Sequence, residues 1–349
     1  MRVKEMDIAR GLTVFIMPAV HVLMINADPA TQVSLAGKFF GFLAEGPGAQ
    51  LFMLLMGLSL TLSKKKKPGR LLKKIILLFA AGYLLNFLKF DLPLLAGTMP
   101  GAFLKDLQLS PGTGALIQLF LLGDILQFAA IGLLLSWLIY QLPRYPFWAL
   151  VTAAIVIAVS PVTPRHLSTC IILGHVTNLL FGYNRFVYFP VFPWLCYPLT
   201  GLFLGHYLLK SPHFYSGCCI AGIVLIITGK LICLFFPGPD CDNFYRTGIG
   251  GSLYHVGFVL VWLFLIHLVV CYLPANHFCK FLEWLSRQIT VVYFIQWILI
   301  FWLTGILGYH TLGLTASLIY LILLSGLVFF LTKRLTSSPR KHHLPKPSL

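Results

Sequence analysis

Long apolar stretches separated by short polar segments recur along almost the whole chain. As helices, they are long enough to cross the roughly 30 Å hydrocarbon core of a bilayer. The pattern therefore predicts an all-α integral membrane protein with about ten transmembrane helices. The ten stretches are about 9–27, 47–63, 71–90, 116–140, 147–162, 189–208, 217–236, 252–273, 288–307 and 312–332.

Composition supports this fold class, because 58% of the 349 residues are hydrophobic and only 10% are charged. Such values lie outside the range of soluble globular domains. Hydropathy indicates one polytopic membrane domain, residues 1–333, followed by a short basic cytoplasmic tail, residues 334–349. The lipid bilayer is thus the first predicted partner.

The net charge of +16 would suggest nucleic acid in a soluble protein. In a membrane protein it has a simpler cause, since cytoplasmic loops carry an excess of Lys and Arg. With a cytoplasmic N-terminus, the inner loops and tails collect 19 of the 26 basic residues, including the block 64–67. We therefore predict cytoplasmic termini and no nucleic-acid partner. The same block has a second interpretation, the docking of an anionic headgroup or nucleotide.

The eight cysteines do not form a recognisable framework. Six of them lie in or beside predicted helices, where they act as small apolar residues. Cys170 and Cys241 fall in outer loops and can pair in an oxidising compartment, a question that the sequence leaves open. The chain has no zinc-like Cys/His spacing, so no metal is expected.

Arg10 and His21 are the most informative polar pair, because His21 lies inside the first apolar stretch. An ionisable side chain at bilayer depth marks a functional site by default. Eleven residues are three helical turns plus about 20°, so both side chains lie on one helix face about 16 Å apart along the axis. The spacing predicts one residue at the membrane border and one in its interior.

Asp124 is a carboxylate at depth in the fourth stretch, and Gln127 is its neighbour on one helix face. Two partners for Asp124 are equally plausible. It lies at nearly the depth of His21 and can hydrogen-bond to that imidazole as an orienting group. Alternatively, it forms a structural ion pair with Lys230 of the seventh stretch.

Three further polar residues lie in or beside the helices. Glu45 stands near the outer mouth, where it can bind an acceptor amine or hydroxyl or remain a solvated helix-end acid. Tyr293 and Gln296 are each more typical of an interhelical contact than of a catalyst.

Several segments in order resemble a known family of membrane acyltransferases. The run Asp7-Ile-Ala-Arg10-Gly11 followed by His21 resembles the Arg-x10-His motif of the acyltransferase-3 type. The surrounding stretch is still more similar to the bacterial heparan-alpha-glucosaminide N-acetyltransferase-like domain. The segments that carry this similarity are the run from Gly46 to Ser63, Gly123-Asp124-Ile-Leu126-Gln127, Phe189-Pro190-Val-Phe192-Pro193-Trp194, and Gly201 with Gly205. Gln296 stands where relatives often carry a late histidine.

The resemblance implies transfer of an acyl group, typically acetyl from cytoplasmic acetyl-CoA, to a sugar hydroxyl or amine across the membrane. Together with the polar residues above, it leads to the hypothesis that His21 acts as general base or nucleophile and that Asp124 orients it. Arg10 would hold either CoA phosphate or the first helical turn in place. A saccharide or glycolipid is the implied acceptor, and the bacterial inner membrane is the implied location. The acceptor's identity and a homodimeric state are left open.

A second function class is a proton-coupled transporter or flippase. Intramembrane His, Asp and Lys residues also build proton relays. Cleavage of acyl-CoA would favour the enzyme, and proton-dependent uptake without cleavage would favour the transporter.

Overall fold

A computed structural model describes residues 3–63, 68–161, 171–238, 241, 243–272 and 276–337. The described part is helical and has no β-strands. The helices are α1 (Lys4–Asn26), α2 (Pro29–Gln32), α3 (Leu35–Leu43), α4 (Ala49–Leu62), α5 (Pro68–Asn86), α6 (Leu92–Leu95), α7 (Gly101–Asp106), α8 (Thr113–Phe120), α9 (Ile125–Tyr140), α10 (Tyr145–Val159), α11 (Ile171–Phe181), α12 (Val191–Trp194), α13 (Cys196–Tyr207), α14 (Phe214–Phe235), α15 (Ile249–Tyr272), α16 (His277–Leu285), α17 (Ile289–Leu307) and α18 (Leu314–Thr336).

Among the described residues, seven continuous helical stretches are long and apolar enough to cross a membrane. They are Lys4–Asn26, Leu35–Leu62, Pro68–Leu95, Phe214–Phe235, Ile249–Tyr272, Ile289–Leu307 and Leu314–Thr336. The helices α9 and α10 are apolar but shorter. An all-helical integral membrane protein is thus confirmed, whereas the count of ten and the cytoplasmic termini stay predictions.

Helix α1 is the centre of the bundle, since it packs against α4, α15, α16, α17 and α18. Glycines allow another helix pair, α4 and α13, to approach closely. A Cβ atom at Gly57 would lie 1.8 Å from the Pro198 carbonyl oxygen, and one at Gly201 would lie 1.9 Å from the Leu54 oxygen. Small residues of this kind are how membrane helices bring their backbones together. They fix α4 against α13.

The fourth predicted stretch is not one continuous helix. It is divided into α8 and α9, and Asp124 begins α9 as its N-cap. The Asp124 carboxylate accepts the Ile125 N–H at 2.7 Å, and the Gln127 side chain accepts the Asp124 N–H at 3.2 Å. This capping box satisfies helix-end donors, which is why the chain breaks here. Hydropathy did not detect the break because both halves are apolar.

Two π-helical turns interrupt the second and third long stretches, at Ala44–Gly48 and Phe87–Asp91. Turns of this kind often mark functional positions in helices. The turn Phe87–Asp91 packs against α8 and α17, and it carries Lys89 inward with only 2% of its surface exposed. The irregular backbone therefore places a cation in the interior of the bundle.

One disulfide is present among the described residues, between Cys233 and Cys241. The predicted interpretation of Cys233 as a small apolar residue is therefore wrong. Its position at the end of α14 lies close to the loop that follows, and this closeness allows the pairing. Cys170 and the basic block 64–67 lie outside the described residues.

Candidate active site

A cavity of about 970 Å³ runs beside α1 in the middle of the bundle. Its wall includes Arg10 at one end, His21 in the middle and Ile25 further on. The fifteen steps from Arg10 to Ile25 correspond to about 22 Å along the helix axis. The cavity therefore follows α1 through most of a hydrocarbon core, and the predicted shared face of Arg10 and His21 is confirmed.

One end of the cavity, called here the basic end, is lined by Arg10, Arg70, Lys74 and Arg287. Arg10 is fixed in place, since its guanidinium donates to the Leu55 carbonyl at 3.2 Å and to the Ser59 hydroxyl. A carboxylate oxygen of Asp7 lies 3.7 Å from Arg10 Nη1. A cluster of cations at the mouth of a cavity is suited to phosphate groups.

His21 lies half-buried in the middle of the cavity wall. Its Nδ1 is 3.1 Å from Gln296 Nε2, and its ring stacks on the Trp297 indole with centroids 4.1 Å apart. The Tyr293 ring meets it edge-on at 6.4 Å. All three neighbours come from α17, so one helix fixes the orientation of the imidazole.

Asp124 also lines the cavity, but neither partner expected from the sequence is correct. Its carboxylate binds the Lys89 ammonium at 2.6 Å and accepts the Tyr293 hydroxyl at 3.1 Å. The predicted hydrogen bond to His21 is absent among the described contacts, because the Asp124 carboxylate binds Lys89 and Tyr293 and caps α9 instead. The predicted pair with Lys230 is also wrong, since Lys230 lies over the Tyr254 ring at 4.4 Å.

The remaining candidate residues lie outside the reacting region. Gln127 is fully buried and caps the start of α9, and it donates to the Leu122 carbonyl at 3.3 Å. Glu45 is exposed, and the cavity wall beside it is formed by Ala44 and Gly48. Lys230 is exposed on α14. These placements favour a structural role for Gln127 and a solvated one for Glu45.

Sequence reasoning missed Lys89 and Trp297. A signal for Lys89 was present, because it is an ionisable residue inside the third apolar stretch, 71–90, where such residues are costly. Trp297 carried no such signal, since one tryptophan in an apolar helix is ordinary. Tyr293 and Gln296 do make interhelical contacts, and those contacts lead to Asp124 and His21.

The other end of the cavity, called here the far end, is lined by Gln32, Asp106, Tyr188, Tyr309 and His310. The Tyr309 hydroxyl donates to the Asp106 carboxylate at 2.8 Å. Burial, with a smaller contribution from nearby carboxylates, raises the pKa of Tyr188 to about 12. Burial and the bond to Asp106 also raise the pKa of Tyr309. Both phenols therefore stay neutral hydrogen-bonding groups at physiological pH.

Two backbone connections hold the far end to the middle of the cavity. The His310 N–H donates to the Ile25 carbonyl at 3.0 Å, which ties the loop after α17 to the end of α1. Gly123 and Val187 form a bridge, in which the Gly123 N–H donates to Phe186 and the Tyr188 N–H donates back to Gly123, each at 2.8 Å. The second connection links Tyr188 to the residue before Asp124.

Within the described ranges, no group of three or more His, Cys, Asp or Glu side chains is placed to hold a metal ion. The chemistry available in the cavity is that of an imidazole, a buried ammonium–carboxylate pair and a basic mouth. Such a set can move protons and stabilise negative charge on oxygen.

Comparison with known protein families gives a match over most of the chain. The family model described as heparan-alpha-glucosaminide N-acetyltransferase, catalytic, matches residues 2–230, well over half of the chain. No curated protein matches the chain. The matched region contains Arg10, His21, Lys89 and Asp124, whereas α17 lies beyond it.

Proposed function

The chain belongs to the family of heparan-alpha-glucosaminide N-acetyltransferase catalytic domains, and we propose that it is a transmembrane acyltransferase acting through the cavity beside α1. In this proposal, acyl-CoA binds at the basic end and the acceptor binds at the far end. Acetyl is the acyl group that the family name specifies, so acetyl-CoA is the proposed donor. The bacterial inner membrane is the proposed location, with the donor on the cytoplasmic side.

The basic end supports the proposed donor site. The phosphates of CoA carry several negative charges, and Arg10, Arg70, Lys74 and Arg287 line this mouth. Arginine suits phosphate because its planar guanidinium donates two parallel hydrogen bonds. Arg10 lies about 16 Å from His21 along α1, so the flexible arm of CoA has room to bring its thioester to the imidazole.

His21 is the proposed general base or nucleophile. Either role requires a lone pair on Nε2, and therefore a proton on Nδ1. The Gln296 amide lies beside Nδ1, and a half-turn of that amide presents its carbonyl oxygen as the acceptor of this proton. The Gln296 oxygen has no other hydrogen-bond partner among the described residues. Gln296 thus takes the orienting role that the sequence suggested for Asp124.

The far end supports a hydroxyl or amine acceptor of a sugar or glycolipid. It offers the Asp106 carboxylate as an acceptor of hydrogen bonds, and neutral Tyr188 and Tyr309 as donors. Aromatic rings beside polar groups suit the faces and hydroxyls of a saccharide. The acceptor would approach His21 from the side opposite to CoA.

The observation that carries this proposal is that one cavity contains the basic cluster, His21 and the polar far end. The test uses purified full-length protein with carbonyl-labelled acetyl-CoA and glucosamine as the acceptor probe. We expect release of CoA and labelled N-acetylglucosamine, both abolished in His21→Ala. His255→Ala is the matched control, because His255 is an intramembrane histidine of α15 outside the cavity wall.

A proton-coupled transporter is the second candidate, and the Lys89–Asp124 ion pair in the cavity wall is the observation that favours it. Buried ion pairs of this kind occur in proton relays. Proton-dependent uptake of glucosamine into proteoliposomes, without thioester cleavage in the same preparation, would support the transporter and contradict the acyltransferase.

A further inference from the structure

Lys89 lies in the cavity wall beside the proposed reaction centre, and neither the family match nor the sequence motifs assign it a role. We infer that Lys89 is a further catalytic residue, whose ammonium donates a hydrogen bond to the carbonyl oxygen of the acyl group. This inference rests on the proposed acyl transfer and deepens it. It names the group that stabilises the negative charge on that oxygen.

The position of Lys89 is tightly fixed. Only 2% of its surface is exposed, and its Nζ lies 2.6 Å from Asp124 Oδ2. The same nitrogen lies 4.6 Å from the Phe90 ring centroid and 4.7 Å from that of Trp297. A charge held between a carboxylate and two rings is already oriented before any substrate arrives, which is the property that electrostatic catalysis requires.

The ammonium has hydrogen-bonding capacity left over. It carries three N–H donors, and within the described residues only Asp124 accepts one of them as a conventional hydrogen bond. Aromatic rings attract a cation but are weaker acceptors than a carbonyl oxygen. A desolvated ammonium with spare donors, on the wall of a cavity, favours the approach of an oxygen that bears negative charge.

Both carboxylate oxygens of Asp124 already accept hydrogen bonds, so Asp124 acts on Lys89 rather than on the substrate. Its carboxylate accepts hydrogen bonds from the Tyr293 hydroxyl at 3.1 Å and the Ile125 N–H at 2.7 Å, in addition to the ammonium. Asp124 is therefore a positioning residue. It holds the Lys89 ammonium in place at the cavity wall.

The distances allow Lys89 and His21 to act on one acyl group. Both contact Trp297, with the His21 centroid at 4.1 Å and Lys89 Nζ at 4.7 Å from the indole centroid. These two distances set an upper limit of about 9 Å on the separation of the ammonium and the imidazole. The chain of bonds and hydrogen bonds from base to attacking atom, acyl carbon, carbonyl oxygen and donor is about 8 Å long, which lies within this limit. Both residues line the same cavity, so both can reach an acyl group bound there.

In the proposed transfer, each proton and electron pair moves between groups that the cavity and the substrates provide. The acceptor oxygen or nitrogen forms a bond to the acyl carbon while its proton moves to His21 Nε2. The carbonyl π electrons move onto the oxygen, where Lys89 stabilises them. When the carbonyl re-forms, the carbon–sulfur bond breaks and the CoA thiolate takes the proton from His21. If His21 attacks the acyl carbon first, the same oxygen develops the same charge.

Removing Lys89 alone would leave the Asp124 charge buried without its partner, which destabilises a protein strongly. The test therefore uses the double variant Lys89→Met/Asp124→Asn, which removes both charges. Lys230→Met is the matched control, because Lys230 is another lysine of a membrane helix that contacts a ring but lies outside the cavity wall. Thermal unfolding and size-exclusion profiles establish that each variant is folded.

We expect the double variant to lower kcat by about 100- to 1000-fold, the typical effect of removing an oxyanion donor. The KM for acetyl-CoA should change little, because the basic end is intact, and Lys230→Met should match the wild type. A folded double variant with wild-type kcat would overturn the inference. If the wild type itself transfers no acetyl group, the proposed acyltransferase function fails. That result differs from an active wild type with an equally active double variant, which contradicts only the role of Lys89.

A second measurement does not depend on the folding of a variant. Infrared spectra of wild-type protein with acetyl-CoA carrying a ¹³C carbonyl report the strength of the hydrogen bond to that oxygen. We expect a lower frequency for the carbonyl stretch of bound acetyl-CoA than for that of free acetyl-CoA. In a folded double variant the two frequencies should be equal. An unshifted carbonyl stretch in the wild-type complex would contradict a role for Lys89.

Discussion

The part of the chain that matches the family model, residues 2–230, and the part that follows it meet in the middle of one cavity. The first part supplies the groups that carry charge or protons there, His21, Lys89 and Asp124. The second part supplies the neutral side chains of α17 that contact those groups, Gln296 and Trp297.

The two parts therefore have different roles: the first supplies the reacting groups, and the second orients them. Changes in the first part should remove a reacting group, whereas changes in α17 should leave that group present but badly placed. The largest losses of activity are expected for His21→Ala and for the double variant of Lys89 and Asp124, because each removes a reacting group. Smaller effects are expected for substitutions elsewhere along the cavity.

The largest of these effects is expected for Gln296→Leu, in the second part. Without an amide oxygen beside Nδ1, His21 loses the partner that selects its reactive tautomer. Loss of such an outer partner typically costs about 10- to 100-fold in activity. We expect that loss in kcat with an unchanged KM for acetyl-CoA, whereas Gln296→Glu should retain most activity. Equal activity of the Leu and Glu variants would show that Gln296 does not orient His21.

A smaller effect is expected for Arg10→Ala, in the first part. One charge-assisted hydrogen bond contributes about 1.5 to 3 kcal/mol, and Arg10 is one of four cations at the basic end. We therefore expect the lower limit of that range, a rise of about 10-fold in the KM for acetyl-CoA. The kcat should change much less, since Arg10 lies far from the reacting atoms. Arg144→Ala is the control, because Arg144 lies outside the cavity wall. A fall in kcat with no change in KM would contradict a phosphate-binding role.

The smallest effect is expected at the far end, where Asp106 from the first part accepts a hydrogen bond from Tyr309 of the second. Asp106→Asn and Tyr309→Phe should each raise the KM for glucosamine about threefold, an exposed polar contact being worth about 0.5 to 1 kcal/mol. Because the two residues share one bond, the double variant should be little worse than either single variant. Strictly additive effects would mean that the two residues act independently.

Much of the fold was predictable because it depends on local patterns. Apolar length predicts the long helices, and the shared face of Arg10 and His21 follows from helical geometry alone. The division of the fourth stretch at Asp124 was harder to see, since a capping box with Gln127 ends an apolar run without changing its hydropathy. The disulfide between Cys233 and Cys241 was missed for a related reason, because hydropathy placed Cys233 inside a helix and left only Cys170 as an open partner for Cys241.

The contacts of the site could not be predicted from the sequence. Helical spacing gives the depth of Asp124 and His21 but not which helix faces them, so Lys89 and Trp297 were missed. Lys89 lies in the π-helical turn Phe87–Asp91 and forms its ion pair with Asp124 from there. No local sequence pattern predicts such a turn. Partner choice in a bundle depends on tertiary packing, which one sequence does not specify.

The most direct test asks whether one cavity joins the donor end to the acceptor end across the membrane. Full-length protein is placed in proteoliposomes with labelled acetyl-CoA outside and glucosamine trapped inside. We predict labelled N-acetylglucosamine in the lumen, free CoA outside, and neither product with His21→Ala. Product that forms only when acetyl-CoA and glucosamine share the same side of the membrane would contradict it.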